Sequence, residues 1–278
     1  MGLLVCPICK EELLKEERSY RCKNNHNYDM AKQGYVNLLL SSKKKSKNPG
    51  DDREMVESRK RFLEAGFYEK ISEKVNELVA ESAGSEKDLK ILDIGCGEGY
   101  YTNRLKNCLE EENKKVETIG IDISKEAVLA ASKSYKKISW FVASGGELPI
   151  RNGALDFLLC MFSRIVPEEY SRVIKDKGYL VIASTGENHL LEMKQVLYKE
   201  VKTDFYRPEK DLVDFFQLEK TVNVKYTETI KGNENIKSLF DMTPYKWRSP
   251  KEGVDRLYLL DELKVTIDVN LDLFRKKV

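Results

Sequence analysis

Lys90-Ile91-Leu92-Asp93-Ile94-Gly95-Cys96-Gly97-Glu98-Gly99-Tyr100 reads as a buried strand running into a glycine-rich turn, with a helix starting at Tyr100 or Tyr101. Glycines at 95, 97 and 99 let the backbone approach a ligand and adopt torsions that a side chain forbids. The helix behind them presents unpaired N–H groups and the positive end of its dipole to the same spot. The spacing separates two ligand classes. A dinucleotide fingerprint, G-x-G-x-x-G, needs its third glycine after two intervening residues. Tyr100 stands there, and the run is instead Asp-x-Gly-x-Gly-x-Gly. The plainest alternative is a glycine turn with no ligand at all.

Asp-x-Gly-x-Gly-x-Gly is the form found in enzymes that bind S-adenosylmethionine on a Rossmann-like sheet. Val116-Glu117-Thr118-Ile119-Gly120-Ile121-Asp122-Ile123-Ser124 reads as the next parallel strand, and Asp122 lies a little over twenty residues past the loop. A carboxylate at that strand end accepts the hydroxyl protons of a ribose. Helix capping is the ordinary role for such an aspartate. Ser124, ahead of Lys125-Glu126-Ala127, already reads as the cap, which leaves Asp122 free for the sugar. The expected cradle is therefore Asp93, Gly95, Cys96, Gly97, Glu98, Gly99 and Tyr100, with Asp122 and Ile123.

The middle of the chain alternates strand and helix as a doubly wound α/β sheet requires. Helix YYTNRLKNCLEEEN, the strand ending at Asp122, helix KEAVLAASKSY and strand ISWFVAS follow in order. Residues 155–161 form an apolar fourth strand, EEYSRVIKDKG a helix and its stop, YLVIAST a fifth strand, and LLEMKQVLYKEV the next helix. Late strands at 218–229 and 262–271 read as an antiparallel pair closing the sheet, with NIKSLFDMTPYKWRS between them as a helix and an aromatic loop suited to cover a substrate. Ligands collect at the carboxyl ends of such strands. Ser144, Gly145, Glu147 and Leu148 are then expected near the adenine. An acidic residue often follows that strand to hold the adenine amino group, but Ser144-Gly145-Gly146 stands here. Phe162, after the fourth strand, is placed to stack on a target base or simply to pack at a strand end.

Cys6-Pro7-Ile8-Cys9 and Cys22-Lys23-Asn24-Asn25-His26 give Cys-x2-Cys-x12-Cys-x3-His. Three thiolates and an imidazole make a closed tetrahedral zinc site built from two knuckles. A segment of this size has almost no core, so the metal would supply its folding energy. With no vacant position, the zinc is structural. The chain has two histidines, and one falls in this frame. Cys96, Cys108 and Cys160 read as ordinary reduced thiols.

Composition sets bounds. The 278 residues, 41% hydrophobic, suffice for one large domain and a small appendage. A net charge of +2 announces no global field, whereas 34% charged residues make local clusters informative. No apolar run approaches a membrane span and the N-terminus lacks a signal-peptide core, so a cytoplasmic protein is expected. The divisions expected are a zinc finger at 1–40, a basic linker with helices at 41–86 and a methyltransferase domain at 87–278. In the linker, Met55, Phe62, Phe67, Ile71, Val75 and Leu78 keep helical spacing, with Gly66 breaking the run into two helices. Lys43, Lys44, Lys45, Lys47, Arg53, Arg59, Lys60 and Arg61 gather eight cations within residues 43–61. A charge run is usually a solvated face; beside a zinc hairpin it reads better as contact with nucleic-acid phosphate.

The order of finger, basic linker, Asp-Ile-Gly-Cys-Gly-Glu-Gly-Tyr-Tyr loop and late Met-Thr-Pro-aromatic loop resembles the bacterial 23S ribosomal RNA guanine-N1 methyltransferase family across essentially the whole chain. Ala31-Lys32-Gln33-Gly34-Tyr35-Val36-Asn37-Leu38-Leu39, Pro49-Gly50-Asp51 and Ala65-Gly66-Phe67-Tyr68 fit that family. So do His189-Leu190, Glu192-Met193-Lys194 and Met242-Thr243-Pro244-Tyr245-Lys246-Trp247-Arg248. The resemblance implies an α/β Rossmann-like class I methyltransferase with a small N-terminal zinc-binding finger. It implies zinc on Cys6, Cys9, Cys22 and His26, and cofactor contacts at Tyr68, the glycine loop with Glu98, and His189. On their own, Tyr68 reads as a packed aromatic and His189 as a surface imidazole. The implied partners are an rRNA hairpin and a second copy in a homodimer. Relatives modify neighbouring guanines in a hairpin lining the peptide exit tunnel, some conferring macrolide resistance. One departure stands out: where relatives tend to carry Ala-Pro after the fourth-strand aromatic, this chain has Ser163-Arg164.

The implied reaction is in-line attack of guanine N1 on a sulfonium methyl, for which alignment is the main task. If the N1 pKa lies about two units above the working pH, deprotonation costs roughly 3 kcal/mol. Glu147, Asp156, Asp241 and backbone oxygens all remain open as the proton acceptor. The target must also leave its stack, which favours a loop or bulged hairpin. Two other functions stay in view: a methyltransferase for a small molecule or another RNA, with the finger as an interaction module, and an RNA-binding protein with a vestigial Rossmann-like part.

Overall fold

The computed structural model describes residues 2–43, 46, 48–201 and 206–278. Lys44, Lys45 and Lys47, expected to meet phosphate, therefore lie outside the described residues.

The chain begins with a three-stranded antiparallel sheet of β1 (Leu14–Lys15), β2 (Ser19–Arg21) and β3 (Asn27–Asp29). Next come β4 (Tyr35–Asn37), α1 (Arg53–Glu64) and α2 (Glu69–Ala83). Asp52 caps α1 by accepting the Met55 amide at 2.9 Å, and Gly66, at φ 86°, separates the two helices as the spacing predicts. The alternating part consists of β5 (Asp88–Ile94), α3 (Tyr100–Glu111), β6 (Lys115–Asp122), α4 (Lys125–Ser134), β7 (Ser139–Val142), β8 (Leu155–Met161), α5 (Pro167–Val173) and β9 (Ile174–Thr185). It is followed by α6 (Leu191–Leu197), α7 (Glu209–Leu212), β10 (Phe216–Lys231), α8 (Asn233–Asp241), α9 (Lys251–Tyr258) and β11 (Glu262–Lys276).

The large sheet runs β10-β11-β9-β8-β5-β6-β7-β4, parallel from β9 through β4, with β11 antiparallel to both its neighbours. The chain leaves β5 toward β6 on one side and returns to β8 on the other. The carboxyl end of β5 is thus the switch point where such sheets open a crevice. The expected closing pair is present as β10 and β11, paired from Phe216 with Lys276 to Lys231 with Glu262, with a register shift between Leu218 and Lys220.

The finger is woven into this sheet. Tyr35, Val36 and Asn37 of β4 pair in parallel with Trp140, Phe141 and Val142 of β7, although they fall inside the segment expected to be a separate finger. Leu3, Leu4, Leu13 and Tyr20 join the core cluster of Leu92, Ile94, Phe141 and Ile150, so the finger helps to cover one face of the sheet. On the opposite face, α1, α2, α3, α6, α8 and α9 bury Phe62, Ile71, Leu78, Leu105, Met193, Leu239 and Leu257.

Two boundaries differ from the sequence pattern. Ile174 to Gly178, expected as helix and stop, already belong to β9, because Ile174 is wholly buried and pairs with Leu155. The helix expected to run to Val201 stops at Leu197. There α9 packs so closely that a Cβ on Gly253 would lie 2.1 Å from the Leu197 carbonyl oxygen, and Arg256 Nη2 takes the Val196 carbonyl at 2.8 Å.

Trp140 packs against the glycine turn and the middle of β6. A Cβ on Gly120 would lie 2.1 Å from its indole ring, and one on Gly99 2.6 Å. The buried ring is pinned by its own N–H to the Tyr135 carbonyl at 2.8 Å. Gly120→Ala should therefore cost about 1–3 kcal/mol by overpacking, read as a lower midpoint in urea unfolding with an unchanged slope.

Candidate active site and metal centre

The turn after β5 is held by the end of β6. Gly95 and Cys96 donate their amides to the Ile121 carbonyl at 2.8 and 3.1 Å, and Gly97 donates to Asp122 Oδ2 at 3.0 Å. Gly95, Gly97 and Gly99 all have positive φ. Around this turn opens a cavity of about 1040 Å3. Asp93, Gly95, Cys96, Gly97, Glu98, Asp122, Ile123, Ser144, Gly145, Tyr68 and His189 all line it, which brings most of the expected cradle together.

Three expected residues stand elsewhere. Gly99 caps α3 against Trp140, and Tyr100 packs edge-on against Tyr101 with Arg104 over its ring. Neither lines the cavity; Tyr101 does, because one helical residue turns the side chain through about 100°. Leu148 is buried in the core rather than beside the adenine position.

Asp122 is not free, as the capping argument had it. Its Oδ1 accepts the Ser124 amide at 2.8 Å while Oδ2 holds Gly97. Ser124 does cap α4, accepting the Ala127 amide at 3.2 Å. Each carboxylate oxygen keeps a second acceptor site, so the aspartate both shapes the loop and still offers lone pairs to a ligand. Asp93 takes a hydrogen bond from Thr102 Oγ1 at 2.5 Å, while its Oδ1 is buried with no partner among the described residues. Burial pushes the Asp93 carboxyl up to about 7. Burial likewise raises Glu98 to about 6, with the Arg59 guanidinium pulling the other way.

Tyr68 and His189, far apart in sequence, meet here. The Tyr68 hydroxyl lies 3.2 Å from His189 Nε2, and the Asp268 amide donates to His189 Nδ1 at 3.2 Å. Burial holds the imidazole down at about 4, so the ring is neutral near pH 7. With Nδ1 accepting, the proton sits on Nε2 and goes to the tyrosine oxygen. The Tyr68 hydroxyl proton is left to point at a ligand.

The rest of the lining has a different character. Phe162, at φ 54° and 41% exposed, projects beside Ser163 and Arg164. Met242, Thr243, Pro244, Tyr245 and Arg248 also line the cavity, as does Pro7 of the first knuckle. Of the three carboxylates considered as proton acceptors, Glu147 lines the cavity and pairs with Lys10 at 2.5 Å. Asp156 sits at the opposite end of β8, holding the Lys90 amide and Lys175. Asp241 accepts from the Tyr258 hydroxyl at 3.2 Å and does not line the cavity.

In the finger, Cys6, Cys9, Cys22 and His26 place their ligand atoms within 4.8 Å of one another. Cys6 Sγ to His26 Nδ1 is 3.5 Å, Cys22 Sγ to His26 Nδ1 is 3.4 Å, and Cys9 Sγ to Cys22 Sγ is 3.6 Å. Tetrahedral zinc requires ligand-to-ligand edges of about 3.5–3.8 Å, so the four residues fit. Lys10 and Asn25 take the left-handed conformation that closes each knuckle, and the Tyr28 hydroxyl lies 3.2 Å from Cys6 Sγ.

The linker cations were expected as one phosphate-binding run; among the described side chains, Arg53, Arg59, Lys60 and Arg61 each have a partner within the chain. Lys43 ends a short 3-10 turn, Ser41–Lys43. Arg53 pairs with Glu57, Lys60 with Glu64 and Ser134, and Arg61 with Glu234 and Ser238. Arg59 turns inward to Asp51 and the cavity. Its direction was readable, since it follows Met55 by four and precedes Phe62 by three, on the buried face of α1.

Residues 91–178 match a methyltransferase-domain model, and residues 4–47 match the zinc-ribbon model described as RlmA, N-terminal. Together with the sheet order and the glycine turn, this defines a class I S-adenosylmethionine-dependent methyltransferase fold bearing an N-terminal zinc-ribbon domain. The chain is 30% identical over 275 residues to the Bacillus subtilis protein named "Putative 23S rRNA (guanine-N(1)-)-methyltransferase YxjB", covering 96% of this chain and 94% of that one. It is 33% identical over 195 residues to the 23S rRNA (guanine(748)-N(1))-methyltransferase of Streptomyces fradiae, covering 70% of this chain and 67% of that protein. The chain belongs to the 23S rRNA (guanine-N1)-methyltransferase family.

Two outcomes test the site. Because the Asp93 pKa is raised in the fold, its contribution to stability is present below its ordinary pKa and lost as pH rises through about 7. Cofactor-free wild type should therefore lose unfolding free energy relative to Asp93→Asn between about pH 4 and 7, measured by urea titration at each pH. Cys22→Ala should abolish stoichiometric zinc by elemental analysis; retention of one zinc per chain would contradict the ligand set.

Proposed function

We propose that the protein methylates N1 of a guanine in a 23S rRNA hairpin, using S-adenosylmethionine, with a structural zinc in its finger. The observation that carries this reading is the single cavity. Its lining joins a carboxylate-and-glycine cradle to an exposed aromatic, a Met-Thr-Pro-Tyr loop and the finger's own knuckle.

S-adenosylmethionine, when bound, supplies a methyl group on a sulfonium leaving group. The residues present fit it. Asp122 would hold the ribose hydroxyls, and Ser144 and Gly145 would border the adenine. Asp93 Oδ1, without a partner among the described residues, is an acceptor suited to an ammonium, which would also restore the charge on that carboxyl. The free proton of Tyr68, set by neutral His189, suits a carboxylate. Phe162 would offer a ring face to an unstacked guanine, with Tyr245 and Pro7 also lining the cavity. Of the three acidic residues weighed for the N1 proton, Glu147 is the one within the cavity.

Catalysis in this reading is alignment more than activation. The finger contributes by position, because Pro7 forms cavity wall and Lys10 fastens the knuckle to Glu147. Zinc on Cys6, Cys9, Cys22 and His26 would hold that wall in place. The reading includes an RNA partner that leaves the cation-rich segment 43–61 salt-sensitive, a homodimer and a cytoplasmic setting; among the described residues no helix is long and apolar enough to cross a membrane. Resistance to macrolides is tested by comparing drug sensitivity in a strain lacking the gene with and without the restored protein.

Two experiments check the reaction. Unmodified 23S rRNA incubated with protein and labelled S-adenosylmethionine should gain one N1-methylguanine, mapped by mass spectrometry of nuclease fragments. Label in a small molecule but never in rRNA would defeat the proposal. Tyr68→Phe should weaken S-adenosylmethionine binding by about tenfold in calorimetry, the usual loss for one hydrogen bond to a charged group.

A further inference from the structure

Arg59 joins three segments that are distant in sequence. Its guanidinium pairs with the Asp51 carboxylate and donates to the Met242 carbonyl through Nη2 at 3.2 Å. It also lies against the cofactor turn, since a Cβ on Gly97 would stand 3.8 Å from both its Cδ and its Nη1. Glu98 and Asp122 are the other carboxylates whose charge acts on it.

Each segment it joins borders the cavity. Asp51 ends the Pro49-Gly50-Asp51 turn, which is seated on the end of β6. A Cβ on Gly50 would fall 2.8 Å from Ser124 Cβ, and Ser124 Oγ donates to the Asp51 carbonyl at 2.6 Å. Met242 opens the Met-Thr-Pro-Tyr loop on the acceptor side. Arg59 therefore stands where the linker from the finger, the glycine turn and the acceptor loop converge.

We propose that Arg59 is a positioning residue that clasps the 49–51 turn to the acceptor loop across the glycine turn, so that a seated cofactor leaves slowly. The planar fork matters. Arginine can serve a carboxylate and a carbonyl at once from a fixed plane, whereas lysine offers a single ammonium centre. This assigns the side chain a role toward the cofactor rather than toward RNA phosphate, and it rests on the cofactor assignment above.

The test uses full-length, zinc-loaded protein and reads only cofactor. Equilibrium binding of S-adenosylmethionine and S-adenosylhomocysteine by calorimetry is combined with dissociation rates from rapid displacement by excess unlabelled ligand. Arg59→Met keeps the aliphatic stem and should speed dissociation by about tenfold, with Arg59→Lys intermediate. Asp51→Asn, which keeps shape but removes the ion pair, should speed it by a few-fold. Dissociation within twofold of wild type in folded Arg59→Met overturns the proposal, as does a lowered melting temperature with an unchanged rate, which would make Arg59 structural only. Should Arg59→Met fail to fold, an unchanged rate in Asp51→Asn overturns it. Wild-type protein that binds neither ligand defeats the cofactor assignment and this inference with it, whereas normal wild-type binding with unaltered variants defeats this inference alone.

Discussion

Three amide hydrogens fix the chemistry of this protein. Those of Gly95, Cys96 and Gly97 are held by the Ile121 carbonyl and the Asp122 carboxylate at the end of the neighbouring strand. Through them the turn after β5 is shaped by β6, and β6 is in turn set against β7 by the indole of Trp140 lying over Gly120. Asp122 thus spends part of its hydrogen-bonding capacity before any ligand arrives. A loop built this way is preorganised: its torsions are enforced by the sheet, not induced by what it binds.

The electrostatics follow from the same crowding. Asp93, Glu98 and Asp122 all line one cavity, and buried carboxylates in proximity resist ionisation. Arg59 is drawn inward to relieve part of this, and a cationic ligand would relieve more. Hydrogen bonding to His189 settles which nitrogen carries the proton and hence which way the Tyr68 hydroxyl is free to point.

Much of this was legible beforehand because parallel strands buried on both faces are rich in apolar residues: Asp93 is the one break in 91–94, 157–161 has none, and Ile119, Gly120 and Ile121 follow the more polar start of 116–122. The clustering of Cys6, Cys9, Cys22 and His26 was legible because spacing in a small segment leaves few alternatives. The misses have physical causes. β4 is three residues long, too short for periodicity to show that it extends the large sheet. A tally of cations within 43–61 treats each as solvated, whereas Arg53, Lys60 and Arg61 find acidic or hydroxyl partners and Arg59 lies on the buried face of its helix. Gly99 and Tyr100 fit the motif, yet the first serves Trp140 and the second turns away as the helix begins. Phe162 adopts a left-handed backbone that no propensity would suggest, and that conformation is what presents its ring.

The parallel ladder between Tyr35-Val36-Asn37 and Trp140-Phe141-Val142 carries one more consequence. A protease or a designer cutting the chain near residue 40 does not release two self-sufficient halves. One product keeps β7 as a bare edge beside an uncovered apolar face, which is a template for stacking with other molecules. The metal-binding segment and the catalytic sheet are therefore inherited as a unit, and a homologue that lost the first would have to rebuild an edge of the second.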